Sequence, residues 1–265
     1  MRPPALALGH QDLEIPVQFK DIDDAEMCLQ TVLNQHMRFQ TSKADDYRYR
    51  IMGSVPLGLL SEAATLEHRL EQWHQGCSAF YSEPGYEDWH PARLALLQIK
   101  YYLAVIMMAT CLYAEECIYD RFMEQFATIV SLAETLLETT NDTVIPRHWD
   151  QATFSMEMGI IHPLYVTACK CRDSRIRQHA IELLEVAPLT EGLWHGGVMA
   201  AIARRVRFHE EEGHCQIGSD IPEFRRVHSA DLQINHQNRQ TTVSFRRLPN
   251  GVDGEWDDLV EVIYW

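Results

Sequence analysis

The sequence predicts a mainly α-helical protein, a helical bundle or solenoid-like body, closed by a small antiparallel β-sheet at its C-terminal end. Three observations predict it. Between residues 21 and 212 apolar residues recur at steps of three and four, the period of one helix face. After Pro222 the period drops to two, the pattern of a strand with one covered face. Breaks rich in turn formers, "SEPGYED" at 82–88 and "TNDTVIP" at 140–146, divide the helical part.

Taken in order, the Pro-rich residues 1–20 are expected to be irregular, and 21–265 to form one helical domain with a β cap at about 226–265. Asp21 can cap a helix that places Ala25, Leu29, Val32, His36 and Phe39 on one face. "TSKADDYRYR" (41–50) has no apolar period and predicts a polar, mobile connection. Leu59, Ala63, Leu66, Leu70, Trp73, Cys77 and Phe80 form the clearest stripe. Pro91 suits a first helical turn, and the helix it opens, 91–117, is apolar nearly all round and therefore central. Its most apolar stretch, "YYLAVIMMATCLY" at 101–113, is shorter than the ~20 residues that span a bilayer, which points to a buried helix of a soluble protein. Phe122, Phe126, Ile129, Ala133 and Leu136 share a face of the next helix.

Three helices are expected beyond residue 152. Pro163 fits the first turn of one that ends near Lys170. Asp173 can cap a second, with Ile176, Ala180, Leu183 and Leu184 on one face, and Pro188 ends it. A third is expected from about Glu191 to Glu212, before Gly213. In "ADLQINHQNRQTTVSFRRL" Leu232 and Ile234 face one way and Val243 and Phe245 answer from a second strand; "NGVDGEWDDLVEVIYW" supplies a turn and a third.

Composition excludes several functions. The formal net charge is -15, and acidic residues outnumber basic ones both before and after residue 220. Neither nucleic acid nor an acidic membrane surface is a direct partner for such a chain. The cysteines at 28, 77, 111, 117, 169, 171 and 215 are scattered and odd in number, as in a reducing compartment, so an intracellular location, cytoplasm or nucleus, is expected. The N-terminus lacks the apolar run of a secretory signal.

Motifs for standard chemistry are missing. On a helix Cys169 and Cys171 point roughly 200° apart, so they cannot share a metal ion; one buried and one partly exposed thiol is expected. "HEEEGH" (209–214) spaces its histidines five apart and interposes Gly213, unlike the zinc-protease motif, which needs a spacing of four on an unbroken helix. Its carboxylates also stand at a helix C-terminus, where the dipole disfavours them. There is no dinucleotide or phosphate-binding glycine loop and no nucleophile elbow, and neither metal nor cofactor is expected. The acid–base candidates are His162, His195, Glu157 and Tyr165, which would be able to move protons in an apolar pocket that sets their pKa values apart. The candidate ligand-lining residues are Tyr101, Tyr102, Trp194 and Met158.

Residues 162–213 read "HPLYVTACKCRDSRIRQHAIELLEVAPLTEGLWHGGVMAAIARRVRFHEEEG". This string resembles the C-terminal regulatory region of fungal transcription regulators of the six-cysteine binuclear zinc-cluster class. The match lies in Pro163, Leu164, Tyr165, Cys171-Arg172-Asp173, Ile176-Arg177, Leu183-Leu184, Glu191 to Trp194, and Glu211 to Gly213. "DDAEMCLQTVLNQHMRF" and the β tail are similar in a softer way, so the resemblance covers most of 19–265. It implies a helical, ligand-sensing regulatory domain. The paired C-x-x-C units of the family's DNA-binding cluster are absent from this chain. A second departure is His195, where the family commonly has a small or acidic residue after the Trp.

Two functions are compatible with this. One is a free-standing transcription-factor-like regulatory domain that binds a small molecule or a protein partner, as a monomer or a homodimer, and is linked to secondary metabolism. The other is a cofactor-free cyclase, isomerase or dehydratase derived from such a domain; beside both stands a purely structural helical adaptor with no pocket.

Overall fold

The computed structural model describes residues 14–78, 80, 91–142, 153–155, 159–187, 189–192, 194–212, 221–235, 237–251 and 253–264. It is mainly α-helical with a three-stranded antiparallel sheet near the C-terminus.

Helix α1 (Ile22–Phe39) starts where Asp21 accepts the Asp24 N–H at 2.8 Å, and it buries the predicted face. The chain then departs from expectation. Instead of a mobile connection, a π-helical turn (Gln40–Ala44) leads into α2 (Asp45–Arg48). The Thr41 and Ser42 hydroxyls bond back to the Met37 and Arg38 carbonyls, which keeps this polar stretch on a helical path to the buried Arg48.

Helix α3 (Leu57–Gly76) buries the predicted stripe from Leu59 to Trp73, Cys77 and Phe80 are buried beyond its end, and Trp73 donates its indole N–H to the Ala25 carbonyl of α1 at 2.7 Å. Helix α4 (Pro91–Thr110) stops short of the expected residue 117. Arg48 donates to the Thr110 carbonyl, and residues Glu116–Phe122 form a 3-10 turn that carries Glu116 inward. Among the described residues α4 is the one helix long and apolar enough to cross a membrane, with mean hydropathy 1.4 over its window. It is longer than the apolar stretch at 101–113 suggests, and here it packs against α1, α3 and the following helix, α5 (Met123–Asp142).

Helices α6 (Ile161–Lys170) and α7 (Ser174–Val186) follow, the latter capped by Asp173 through the Arg175 and Ile176 N–H groups. Helix α8 begins later than predicted, at Gly196, and runs to Glu211. The preceding residues form a small sheet instead, in which β1 (Thr153–Ser155) pairs parallel to β2 (Leu189–Glu191) and β2 antiparallel to β3 (Trp194–His195). Gly192, at φ 57°, turns the chain between β2 and β3, a conformation that ordinary side chains disfavour. Gly196 lets α8 approach α7: an added Cβ would lie 2.6 Å from the Leu184 carbonyl oxygen.

The C-terminal sheet is β4 (Val227–Asn235), β5 (Gln240–Arg247) and β6 (Asp257–Tyr264), in that order. Leu232 stands opposite Val243 and Ala230 opposite Phe245. Val243 and Phe245 are fully buried in a cluster with α5 to α8. A second cluster joins α1, α3 and α4, and Tyr102 of α4 packs against both.

The resemblance string includes Glu191, whose carboxylate accepts the N–H groups of Gly159, Ile160 and Ile161 at 2.9–3.0 Å. It thus satisfies the first amides of α6 from a distant strand. Glu191→Ala is expected to lower the unfolding free energy by about 2 kcal/mol, read by urea denaturation; an unchanged midpoint would show that α6 does not depend on this cap.

Candidate functional site

The densest chemistry lies where α2, the 3-10 turn, α6, α7, α8 and β4 converge. Glu116 and Glu210 are both 0% exposed. One Glu116 oxygen accepts Arg48 at 2.9 Å, and the other accepts Lys170 at 2.7 Å and Arg172 at 3.1 Å. Arg172 also reaches Glu210 at 2.8 Å, while Arg177 binds the second oxygen of Glu210. The Val227 N–H donates to Glu210 at 2.8 Å, and Lys170 donates to the Val227 and His228 carbonyls. Burial raises the pKa of Glu116, but Lys170, Arg172 and Arg48 outweigh it and leave the carboxyl at about 2. Glu210 is lowered too, with Arg172 and Arg177 outweighing burial.

This network explains the "KCRD" and "EEEG" signatures. Helix α6 ends at Lys170, and Cys171 is extended, so Lys170 and Arg172 reach the same carboxylate oxygen while the thiol between them turns away. Contrary to the expectation of one partly exposed thiol, Cys169 and Cys171 are both buried, and burial pushes each up to about 11. Cys171 lies 3.7 Å from the Met123 sulfur. The acidic end of α8 is likewise accounted for: Glu210 meets Arg172 and Arg177, and Glu211 meets Arg207 at 2.9 Å. Ion pairing there outweighs the unfavourable dipole. The second histidine of "HEEEGH", His214, lies outside the described residues.

A partly open cavity of about 160 Å³ adjoins the network, with Arg48, Tyr119, Tyr165, Lys170, His228 and Ala230 among its walls. Burial pushes His228 down to about 4 despite the nearby Glu116. A larger groove of about 630 Å³ runs between α3 and α4, floored by Ala63, Leu70, Tyr101 and Met108, with the exposed Glu67, Glu71 and Arg121 on its rim.

The sequence-derived candidates divide among these places. His162, Tyr165 and Trp194 do come together: the Trp194 ring centroid lies 4.8 Å from that of His162 and 5.7 Å from that of Tyr165. His195 does not join them. It is exposed, and its Nδ1 faces the Val198 N–H at 3.4 Å as the cap of α8. Tyr101 belongs to the other apolar cluster, stacked at 4.6 Å on His74, and Tyr102 packs edge-on against it at 5.3 Å. Glu157 and Met158 lie outside the described residues.

Burial sets the chemistry of this group. It pushes His162 down to about 4 and Tyr165 well above the ordinary tyrosine value, the latter aided by Cys169. A base that weak and an acid that weak transfer protons poorly near neutral pH. Among the described residues no carboxylate acts on His162, and its Nδ1 is buried without a hydrogen-bond partner. Sequence reasoning missed Arg48, Glu116 and Glu210. The available signal was the run of cations at 170–177 facing an acidic run at 210–212.

No known family model matches the chain. The chain is 28% identical over 120 residues to the aspercryptin biosynthesis cluster-specific transcription regulator of Emericella nidulans. The chain is related to a fungal transcription regulator. The match covers 43% of this chain and about a fifth of the regulator, 20% of its length. No solved structure matches.

Two pH effects follow from the site. Because Glu116 is depressed from 4.5 to about 2, its contribution to stability is complete above 4.5 and is lost as pH falls toward 2. In acid unfolding, Glu116→Gln should remove part of that slope and lower stability at neutral pH by about 3–5 kcal/mol, because Arg48 and Lys170 lose their counter-charge. A variant with wild-type stability and slope would contradict the network's role. For His162, lowered from 6.5 to about 4, the neutral ring is the folded form, so its contribution is lost as pH falls through that interval. The His162 ring proton shifts in NMR should therefore stay flat between about pH 5 and 8; titration near 6.5 would mean an accessible ring.

Proposed function

We propose that this chain is a regulatory domain of a fungal transcription-factor-like protein, tied to secondary metabolism, that responds to a small molecule or a protein partner. The observation that carries the reading is the match to a cluster-specific transcription regulator. Two features of the fold support it. The residues through which the sequence resembles zinc-cluster regulators, among them Arg172, Asp173, Arg177 and Glu191, serve the scaffold as ion pairs and caps. That fits inheritance of a regulatory frame. A cavity also adjoins the charge network, where an occupant would touch α2, α6 and β4 together. With a net charge of -15 the chain acts through ligands or proteins and not by gripping phosphates itself. The proposed location is accordingly cytoplasm or nucleus.

The enzyme alternative needs an assembled acid–base set. His162 and Tyr165 are paired with Trp194 and shifted away from neutrality, and His195 caps a helix. Gene deletion with parallel transcript and metabolite profiling separates the two. Under the regulatory reading, transcripts of the associated biosynthetic genes change several-fold and their products change together. Intact transcripts with accumulation of a single unprocessed intermediate would overturn that reading in favour of catalysis.

A further inference from the structure

We infer that the cavity beside the charge network binds a small monocarboxylate with an apolar, preferably aromatic, body. The inference gives a ligand class to the small-molecule form of the regulatory reading and rests on that reading for its biological sense; the binding itself rests on the geometry below.

Charge comes first. Among the described residues the cavity lining includes Arg48 and Lys170 and no Asp or Glu, in a chain of net charge -15. The carboxylate that serves both cations, Glu116, also serves Arg172. Around it Arg48, Lys170, Arg172 and Arg177 meet two fully buried carboxylates, Glu116 and Glu210; Glu211, at 3.7 Å, adds a partly exposed third on the Arg177 side. Among buried charges the cavity side thus holds Arg48 and Lys170 against Glu116, while Asp45, which acts on Arg48, is half-buried and Asp231, which acts on Tyr165, is exposed to water. A buried surplus of this kind favours an anion in contact with it.

Donors come next. Lys170 spends its three N–H bonds on Glu116 and the Val227 and His228 carbonyls. Arg48 donates to the Thr110 carbonyl and to Glu116, and its guanidinium carbon stands 5.7 Å from the Tyr119 ring centroid. A guanidinium has five N–H donors, so Arg48 retains capacity for a carboxylate while Lys170 contributes field. The Ser229 hydroxyl is a further wall group.

Shape gives the rest. The rings of Tyr49, Tyr119 and Tyr165 with Met107, Val166 and Val206 make most of the apolar wall, and Gln40, Cys169 and His228 add polar groups to it. The volume is about 160 Å³. An apolar cavity of about 150 Å³ holds one benzene molecule, so the enclosed space suits a single ring with one carboxylate at the Arg48 end.

The test uses the 265-residue chain, with benzoate as the probe and benzamide and inorganic phosphate as controls. Benzoate is expected to give a saturable rise in Tm of a few degrees, benzamide and phosphate little. Ala230→Leu and Met107→Trp fill the cavity from two sides without touching the ion pairs. Whichever of them keeps the wild-type circular dichroism spectrum and a cooperative melt is expected to lose the benzoate response.

An equal response to benzamide would reduce the cavity to an apolar hole, and an equal response to phosphate would make it a bare anion site; either overturns the inference. So does a missing benzoate response, or one that survives in both filled variants. Transcript profiling keeps the two readings apart. Biosynthetic transcripts that depend on the gene, with no benzoate binding, overturn the ligand class and leave the regulatory reading standing. Benzoate binding with gene-independent transcripts does the reverse.

Discussion

Two carboxylates with no solvent exposure, Glu116 and Glu210, hold the second half of the molecule in register. Each ion costs several kcal/mol to desolvate, an outlay recovered only when every partner is in place. The partners come from α2, α6, the link after α6, α7 and the first residue of β4, while Glu210 itself stands on α8. Helix positions that stripe packing alone would leave free to slide are thereby fixed. Arg226 extends the same logic outward, forking onto Asp120 at 2.7–2.8 Å and bonding to the Glu116 carbonyl. Buried pairs of this kind specify geometry more than they add net stability, because well-packed apolar side chains would hold as firmly.

Elements built on local periodicity were legible in the sequence. The stripes of α1 and α3, the Asp21 and Asp173 caps and the pairing of Leu232 with Val243 all depend on neighbours within one element or one hairpin. What was not legible depends on distant contacts. Residues 41–48 have no apolar period, yet they stay helical because hydroxyls bond backward and Arg48 is drawn to Glu116. Helix α4 ends early because that same glutamate must turn inward. The pairing of β2 with β3 rests on one left-handed glycine in a stretch whose composition suits a helix start.

The candidate site was legible in part for the same reason. His162 and Tyr165 are three apart on one helix and share a face by geometry alone, and Trp194 covers them. Neighbouring residues of a strand face opposite ways, so His195, next to Trp194, was bound to leave that group once β3 formed. Tyr101 and Tyr102 lie on the helix shared by both apolar clusters, and nothing in their spacing says which cluster each serves. The residues most responsible for the resemblance to regulators are frame residues. Likeness in that block is therefore evidence of shared architecture before it is evidence of shared chemistry.

The order of the network along the chain has a consequence for synthesis. The cluster that joins α1, α3 and one face of α4 draws its apolar residues from positions up to 112, so it is complete before α5 has been made, while Ile99 and Ile106 on the other face of α4 await later partners. Arg172 and Arg177 emerge more than thirty residues ahead of Glu210, and the β4 amide that completes its coordination comes later still. Long-range closures of this sort bear the largest loop entropy and fall late in folding. The nascent protein therefore carries Arg177 without its carboxylate, and Arg172 with Glu116 alone, until Glu210 has been made. A chain interrupted before residue 210 keeps the first core and lacks the anchor of the second.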